Sequence, residues 1–207
     1  LFDSPEISQI KISAYWTTAT LVENLSELRS LFETNQLTSE VFKLKNNVLV
    51  SHVYAGDSKP IIYVQDSYSA ITIQDISSII TSTYKEGDSI KISGTMDKAF
   101  GTTYFYPSRD FNMPTSENNS VSPTIVTLAE LNSSPALYEA QLIKVENVNF
   151  YDRENENGGI FKQGTNNKIE QNGSTAAISV FKEVDYIDEA IPETATIIGI
   201  FRSPGGK

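Results

Sequence analysis

The chain has 207 residues, carries a formal net charge of −10 and contains no cysteine. The lack of cysteine excludes disulfides, zinc–thiolate sites and a cysteine nucleophile. No block of basic residues offsets the acidic charge, so the electrostatic footprint of a protein that binds a phosphate backbone is missing. A hydrophobic share of 39% indicates a globular protein, and the abundant Ser, Thr and Asn favour strands and loops. We therefore expect a mainly β protein with two small domains.

The first predicted element is an amphipathic helix. Four apolar residues share one face at helical spacing: Leu21, Leu25, Leu28 and Phe32. Thr20 and Glu23 form a T-L-x-E pattern, in which the Thr side chain caps a helix and the Glu reaches back to the cap. The helix is therefore expected to begin beside Thr20 and to precede a barrel.

The stretch from residue 60 to residue 94 carries the clearest strand pattern. A strand is predicted over 48–54, and apolar residues then alternate with polar ones over 62–65 and 71–74, which is typical of a hairpin. Asp75 predicts the N-cap of a short helical patch at the barrel's end, whose apolar residues are Ile76, Ile79 and Ile80.

Two more strands complete the first predicted barrel. A turn at 85–88 leads into a strand through Ile90 and Ile92, and Gly94 would relieve a bend there. The aromatic run over 103–106 then predicts a fifth strand.

Residues 113–123, with the sequence MPTSENNSVSP, predict an interdomain linker. They are polar, flanked by proline and free of any apolar period. The predicted domains are therefore 1–112, a helix plus a barrel, and 124–207, a second barrel.

The second half repeats the order of elements. A short helix is predicted at Leu128 and Leu131, and a strand over 142–151 whose alternation slips at Glu146-Asn147 predicts a bulge. The remaining predictions are a hairpin through 160–161 and 176–180, a helical patch at Val184, Ile187 and Ile191, and a strand at Ile197, Ile198 and Ile200. No aromatic fifth strand follows, so the second barrel is expected either to be open or to continue beyond the sequence.

Two landmarks predict an internal repeat. T-L-x-E patterns begin at Thr20 and at Thr127, and two similar strand-forming stretches begin at Glu86 and at Glu193, with the same spacing in both cases. The predicted fold is therefore two tandem OB-fold-like five-stranded barrels, each preceded by a short helix.

The first half resembles the OB-fold domains of exported bacterial envelope lipoproteins of unassigned function, which are often described as candidate nucleic-acid-binding proteins. The residues that carry the resemblance are TLVENLSELRSLF, IIYVQDSYSAITI and YKEGDSIKISGTM, within residues 20–112. TLAEL at 127–131 is similar to the helix that opens a second copy. The resemblance implies an exported protein, outer-membrane lipoprotein or periplasmic, whose one membrane attachment is a lipid-modified cysteine upstream of Leu1.

The sequence favours a binding protein over an enzyme. His52 is the single histidine, and it has no partner at the spacing of a metal site or catalytic triad. The chain contains no HExxH, GxSxG or P-loop motif. We expect no catalytic residue and no cofactor.

One acidic run has the spacing of a calcium loop. Asp152, Glu154 and Glu156 place carboxylates on alternate residues before Gly158, but no closing bidentate acid is evident. An ordinary solvated turn is the favoured interpretation, so no metal site is predicted.

The predicted binding site is the outer face of the first barrel. If Ile62, Val64, Ile71 and Ile73 face the core, a period of two puts the alternate residues on the opposite face, where OB-folds bind. The candidate binding residues are Tyr54, Tyr63, Gln65, Tyr68, Thr72, Gln74, Tyr104, Tyr106 and Arg109. The alternative is that these tyrosines merely cover a small barrel.

The charge of this region bears on the ligand. Between Val48 and Gly94 the cations are Lys59, Lys85 and Lys91, and acidic residues outnumber them. Single-strand nucleic-acid binders pair aromatic platforms with a positive groove, so nucleic acid is electrostatically disfavoured. A glycan or a protein partner is slightly favoured, and nucleic acid is the alternative.

Overall fold

A computed structural model describes most of the chain. The described residues are 19–35, 38–55, 59–99, 101–151, 153, 158–180 and 184–203. The calcium-loop candidates Asp152, Glu154 and Glu156 lie outside them. The protein is mainly β, as predicted, with one curled eight-stranded sheet and a second sheet.

The first sheet and one helix make up the part of the chain that we call the first unit. In chain order its elements are β1 (Thr20–Val22), α1 (Leu25–Asn35), β2 (Phe42–Leu44), β3 (Val48–Tyr54), β4 (Ile61–Gln65), β5 (Ala70–Gln74), β6 (Ser89–Ile90), β7 (Ser93–Ala99) and β8 (Thr102–Pro107). The strand order is β1-β2-β7-β8-β5-β4-β3-β6. The strand over 48–54, the hairpin and the aromatic strand are confirmed.

The core of the first unit follows the predicted alternation. Ile62, Val64, Ile71 and Ile73 all face it and are buried. Phe32 of α1 and Phe105 of β8 pack into the same cluster. The inward side of the hairpin was therefore predictable from a period of two.

The start of α1 corrects the first prediction. Thr20 begins the strand β1, which pairs in parallel with β2, and Leu21 is 55% exposed. The helix begins at Leu25, where the side chain of Asn24 accepts a hydrogen bond from the N–H of Glu27 at 2.9 Å. An Asn cap closer to the apolar face thus replaces the predicted Thr20 cap.

The helical patch after Asp75 is also wrong. The Asp75 carboxylate does accept hydrogen bonds from the N–H groups of Ile79 and Ile80, at 2.9 and 2.7 Å. No helix follows, because Ser78 has a φ of 55°, in the left-handed region that a helix cannot contain. The Asp75 side chain therefore accepts backbone hydrogen bonds as a cap does, but these bonds close a turn and do not begin a helix.

The second sheet and two helices make up the second unit. Its elements are β9 (Thr124–Ile125), α2 (Leu128–Ser133), α3 (Pro135–Tyr138), β10 (Leu142–Phe150), β11 (Asn166–Gln171), β12 (Ser174–Ser179) and β13 (Thr194–Ile200). The strand order is β12-β11-β10-β13, and β9 pairs in parallel with β10.

Two predictions for the second unit are confirmed. Thr127 caps α2, and Glu130 completes the capping box. The register of β10 against β13 shifts between Val145 and Val148, as the predicted bulge requires.

Two other predictions for the second unit are wrong. The hairpin is β11–β12 around Asn172-Gly173, whereas Ile160 makes only an isolated bridge to Ala190. The polar composition of β11, NNKIEQ, hid it from a search for apolar alternation. The patch at Val184, Ile187 and Ile191 forms turns, and Asp188 within it has a φ of 67°.

The two units open with similar elements, in a register that differs from the predicted repeat. Each unit opens with a parallel strand pair around a helix, β1–α1–β2 in the first and β9–α2–α3–β10 in the second. The capped helix starts are Asn24-Leu25-Ser26-Glu27 and Thr127-Leu128-Ala129-Glu130. The capped start of the helix in the first unit therefore lies four residues after Thr20, where the T-L-x-E pattern predicted it.

Candidate functional site

A row of side chains crosses five strands on the outer face of the first sheet. The strand register makes five residues successive cross-strand partners: His52 of β3, Tyr63 of β4, Thr72 of β5, Tyr104 of β8 and Asp97 of β7. Such neighbours lie close enough to interact directly. We call this the central row.

A second row lies next to the first. Tyr54 pairs with Ile61, which pairs with Gln74, and Tyr106 of β8 lies two residues beyond Tyr104. We call these four residues the rim row. The two rows bring together most of the predicted binding residues on one face, since side chains two residues apart on a strand share a face.

The second unit covers the middle of this face. Tyr63 is 5% exposed and Thr72 is also buried. Tyr63 packs with Ala70 and with Ala140 of the second unit, and Tyr54, Ile61 and Ile200 pack against the same cluster. The period of two thus identified the outer side of the hairpin, but the second unit closes the part of it around Tyr63.

Gln65 also serves the contact between the units. Its side-chain oxygen accepts a hydrogen bond from the N–H of Leu142 at 3.2 Å. Its side-chain nitrogen donates to the carbonyl oxygen of Ser122 at 3.4 Å. The predicted ligand-binding amide therefore bonds to the protein's own backbone.

The open part of the face is aromatic. Tyr104 and Tyr106 are half-buried, with ring centroids 6.3 Å apart and ring planes inclined by 42°. Burial, and then the charge of Asp97, raise the pKa of Tyr106, so its hydroxyl stays protonated over the physiological range. Gln74 is half-buried as well, and its amide adds hydrogen-bonding capacity.

His52 and the two outlying candidates behave differently. The exposed His52 stacks near Tyr63, with centroids 6.2 Å apart and planes 26° apart. Tyr68 is 64% exposed in the turn between β4 and β5, and Arg109 is exposed beyond the end of β8. The structure does not bring Tyr68 or Arg109 into either row.

Sequence reasoning missed a buried cation at the contact between the units. Arg29 of α1 is 9% exposed, and its guanidinium donates to the carbonyl oxygens of Ala70 at 3.0 Å, Glu139 at 3.3 Å and Ala136 at 3.1 Å. Burial lowers its pKa, although Glu33 and Glu139 oppose that shift. We call this set of bonds the Arg29 bridge.

Glu139 lies buried beside the Arg29 bridge. One oxygen of its carboxylate accepts a hydrogen bond from the N–H of Ser203 at 2.5 Å, and the other has no partner among the described residues. Burial raises the pKa of Glu139, and the Ser203 bond and the charges of Arg29 and Arg202 offset only part of that shift. Nothing in the sequence around Arg29 or Glu139 indicates that these two charged side chains are buried.

The described residues contain no group of three or more His, Asp, Glu or Cys side chains placed to hold a metal ion. None of the helices in the described ranges is both long and apolar enough to cross a bilayer.

No protein-family model matches the chain, and no curated protein matches it either. The two rows and the Arg29 bridge are therefore the features of this chain that bear on its function.

Proposed function

We propose that the first unit is an OB-fold barrel. β3 pairs with β4, β4 with β5, β5 in parallel with β8, β8 with β7, and β6 with β3. Only residues 91 and 92 separate β6 from β7, so these two strands act as halves of one strand that closes the sheet. This order supports a five-stranded Greek-key barrel, the architecture of OB-folds.

The proposed OB-fold arrangement extends to the second unit. The pairings of β10 with β11, β11 with β12 and β10 with β13 repeat four of the five strands. The proposed architecture is therefore a tandem pair in which the second barrel lacks one strand among the described residues.

The proposed function is that of a non-enzymatic binding module of the bacterial cell envelope. The Tyr104–Tyr106 pair carries this proposal, because two half-buried rings beside Gln74 offer two apolar ring faces next to a hydrogen-bonding amide. The envelope location rests on the family resemblance.

A neutral glycan fits this surface best. Asp97 lies opposite Tyr104, and the chain as a whole is acidic, so a phosphate backbone would be repelled. Sugar rings stack their C–H faces on tyrosine, and their hydroxyls bond to amides such as that of Gln74. The OB-fold strand order favours nucleic acid as the second candidate, because aromatic residues on this face stack bases in other OB-folds.

A glycan array followed by calorimetry tests the proposal. We expect Tyr104→Ala and Tyr106→Ala each to weaken glycan binding about tenfold, as the loss of one stacking contact of about 1.4 kcal/mol implies. Tyr68→Ala is the matched control, because Tyr68 is exposed but outside both rows.

The same titrations separate the two ligand classes. We expect single-stranded oligonucleotides to bind more weakly than about 10 μM at physiological salt. Nanomolar, salt-dependent oligonucleotide binding would instead establish the second candidate. Glycan binding that survives both tyrosine substitutions would refute the site.

A further inference from the structure

A cavity lies in the second unit where the start of α2, the bulge of β10 and the turn between β11 and β12 meet. Its volume is about 460 Å³, within the range of about 300–1,000 Å³ that small-molecule sites have. The residues that line it are Ile125, Val126, Thr127, Glu130, Glu146, Asn147, Gln171 and Asn172. Two of these are glutamates and none is a lysine or an arginine, so this described lining carries negative charge with no cation of its own.

The first unit shows which residue corresponds to Glu146. Each sheet contains a glycine that pairs across strands with a buried apolar residue. These pairs are Gly94 with Phe42 and Gly199 with Ile143. Lys45 and Glu146 each lie three residues after that apolar residue, where β2 has ended and where β10 has its bulge. Lys45 is therefore the counterpart of Glu146.

The starts of the two helices also correspond. In each unit the N–H of the first helical residue donates to a side chain at the turn of the neighbouring hairpin. These bonds join Leu25 with Asp66 at 2.8 Å and Leu128 with Gln171 at 2.9 Å. Two residues later a glutamate, Glu27 in α1 and Glu130 in α2, accepts a bond from a backbone N–H ahead of the helix. Glu27 and Glu130 are therefore counterparts as well.

In the first unit an alkylammonium group lies close to this glutamate. The ammonium of Lys45 bonds to the carboxylate of Glu23. That bond raises the pKa of Lys45, and the nearby charge of Glu27 adds to the increase. In the second unit Glu146 replaces this cation with a carboxylate. The place beside Glu130 thus lacks the ammonium group that its counterpart Glu27 has nearby.

The cavity has the groups that an alkylammonium compound needs. One oxygen of the Glu130 carboxylate accepts from the N–H and the hydroxyl of Thr127, both at 2.7 Å, and its other oxygen accepts no bond among the described residues. Lys144 pairs with Glu146 at 2.6 Å, so Glu130 is the carboxylate that has no cation within the described ranges. Ile125, which is 69% exposed, adds an apolar wall.

We propose that this cavity binds a small linear alkane that carries primary ammonium groups. One ammonium donates a charge-assisted hydrogen bond to Glu130, in the place that Lys45 takes in the first unit. The alkyl chain lies along Ile125, as the stem of a lysine lies along apolar surface. This site is in the second unit and is independent of the ligand at Tyr104 and Tyr106.

Putrescine, a four-carbon diamine, is the direct probe for the full chain. We expect saturable NMR shifts at the amides of Thr127, Glu146 and Asn172, with a dissociation constant of about 1 mM or tighter. Butanediol has the same chain length without charge and should bind at least about tenfold more weakly. Absence of saturable shifts at these amides, or equal binding of the diol, overturns the proposal.

Two variants test the site itself. Glu146→Lys introduces the residue that the first unit has, so its own ammonium fills the cavity and putrescine binding should fall at least about tenfold. Glu130→Gln keeps a capping-box acceptor but removes the charge, and it should weaken binding by about the same factor.

Glu189→Gln is the matched control, because it removes an exposed carboxylate of the same unit that does not line the cavity. It should leave putrescine binding unchanged. Binding that survives both Glu146→Lys and Glu130→Gln overturns the proposal. An equal loss in Glu189→Gln also overturns it, because the diamine would then be attracted only by the general acidity of the chain.

Discussion

Two strand glycines stand in very different surroundings. A Cβ at Gly94 in β7 would lie 2.0 Å from the carbonyl oxygen of Tyr106, whereas one at Gly199 in β13 would meet nothing within 4 Å. We expect Gly94→Ala to force β7 and β8 apart and to lower the free energy of unfolding by about 3 kcal/mol.

Gly199→Ala is the control for this prediction. It should be neutral or raise the free energy of unfolding by about 0.5 kcal/mol, since alanine loses less backbone entropy in a strand. Urea denaturation of both variants measures the difference. Equal stability of the two would show that β8 does not approach β7 as closely as described.

Ala140 shows how the contact between the units constrains a single residue. Its φ of 67° lies in the left-handed region, where glycine is usual, yet it is alanine and almost fully buried. Its methyl group packs against Tyr63 and Ala70. This packing contact thus stabilises alanine in a backbone conformation that disfavours it.

At the scale of elements, the connector at 113–123 behaves as part of the first unit. Ser116 bridges to Ser89, Lys85 pairs with Glu117 at 2.9 Å, and the side chain of Asn119 donates to the carbonyl oxygen of Gly87 at 2.7 Å. Its composition predicted a linker, but composition does not reveal that β6 offers a free edge for it to bond.

Gly87 is the residue through which this attachment can be tested. Its φ is 85°, and a Cβ there would lie 2.6 Å from the carbonyl oxygen of Asn119. Gly173 has a similar φ of 82° but open space around it. We expect Gly87→Ala to cost about 1–3 kcal/mol more unfolding free energy than Gly173→Ala, because only the former displaces the connector.

Thermal and urea melts of the two variants give that difference directly. Hydrogen exchange at residues 115–119 should also accelerate in Gly87→Ala alone. If the two substitutions lower the free energy of unfolding equally, the connector shifts to accommodate the new methyl group and keeps its bonds.

The predictable elements are those whose signal is local. The strand over 48–54, the hairpin and the bulge at Glu146-Asn147 carry their own alternation, and the sequence alone located them. β1 and β2 are three residues each and exist because they pair with each other across α1. Short strands of this kind depend on tertiary contacts that no local pattern records.

The candidate site was predictable to the same extent. The alternation of apolar and polar residues identified the outer face of the hairpin. It correctly predicted that Tyr63, Thr72 and Tyr104 lie together on that face. The alternation did not show that Ala140 would cover Tyr63. It also did not show that the guanidinium of Arg29 would donate to carbonyl groups far along the chain. Those contacts join residues from different units, so only the folded chain reveals them.

At the scale of the whole molecule, the contact between the units should respond to pH. Burial raises the pKa of Glu139 above its ordinary value of 4.5, so the folded protein holds this proton more tightly than the unfolded chain. The contribution of Glu139 to stability is therefore fully present below pH 4.5 and is lost as pH rises through the folded pKa. We expect Glu139→Gln to remove this dependence and to be more stable than the parent at neutral pH.

Urea titrations of parent and variant between pH 4 and pH 8 measure the effect as a difference, which cancels the other carboxylates. Glu130→Gln, which changes an exposed capping residue, is the control. Its pKa is lowered by its bonds to Thr127, so its contribution to stability has the opposite sign and is lost as pH falls. A stability difference for Glu139→Gln that does not vary with pH would contradict the described burial.

The residues of the Arg29 bridge are synthesised at different times. Its acceptors at Ala136 and Glu139 lie 107 and 110 positions further along the chain, so at usual rates of synthesis they emerge about 5 to 20 s after Arg29. During that interval the carbonyl oxygen of Ala70 is the only one of its three acceptors that has been synthesised, so water has to solvate the part of the guanidinium that later bonds to the second unit. The bonds to Ala136 and Glu139, and with them the full burial of this charge, form only after those two residues have been synthesised.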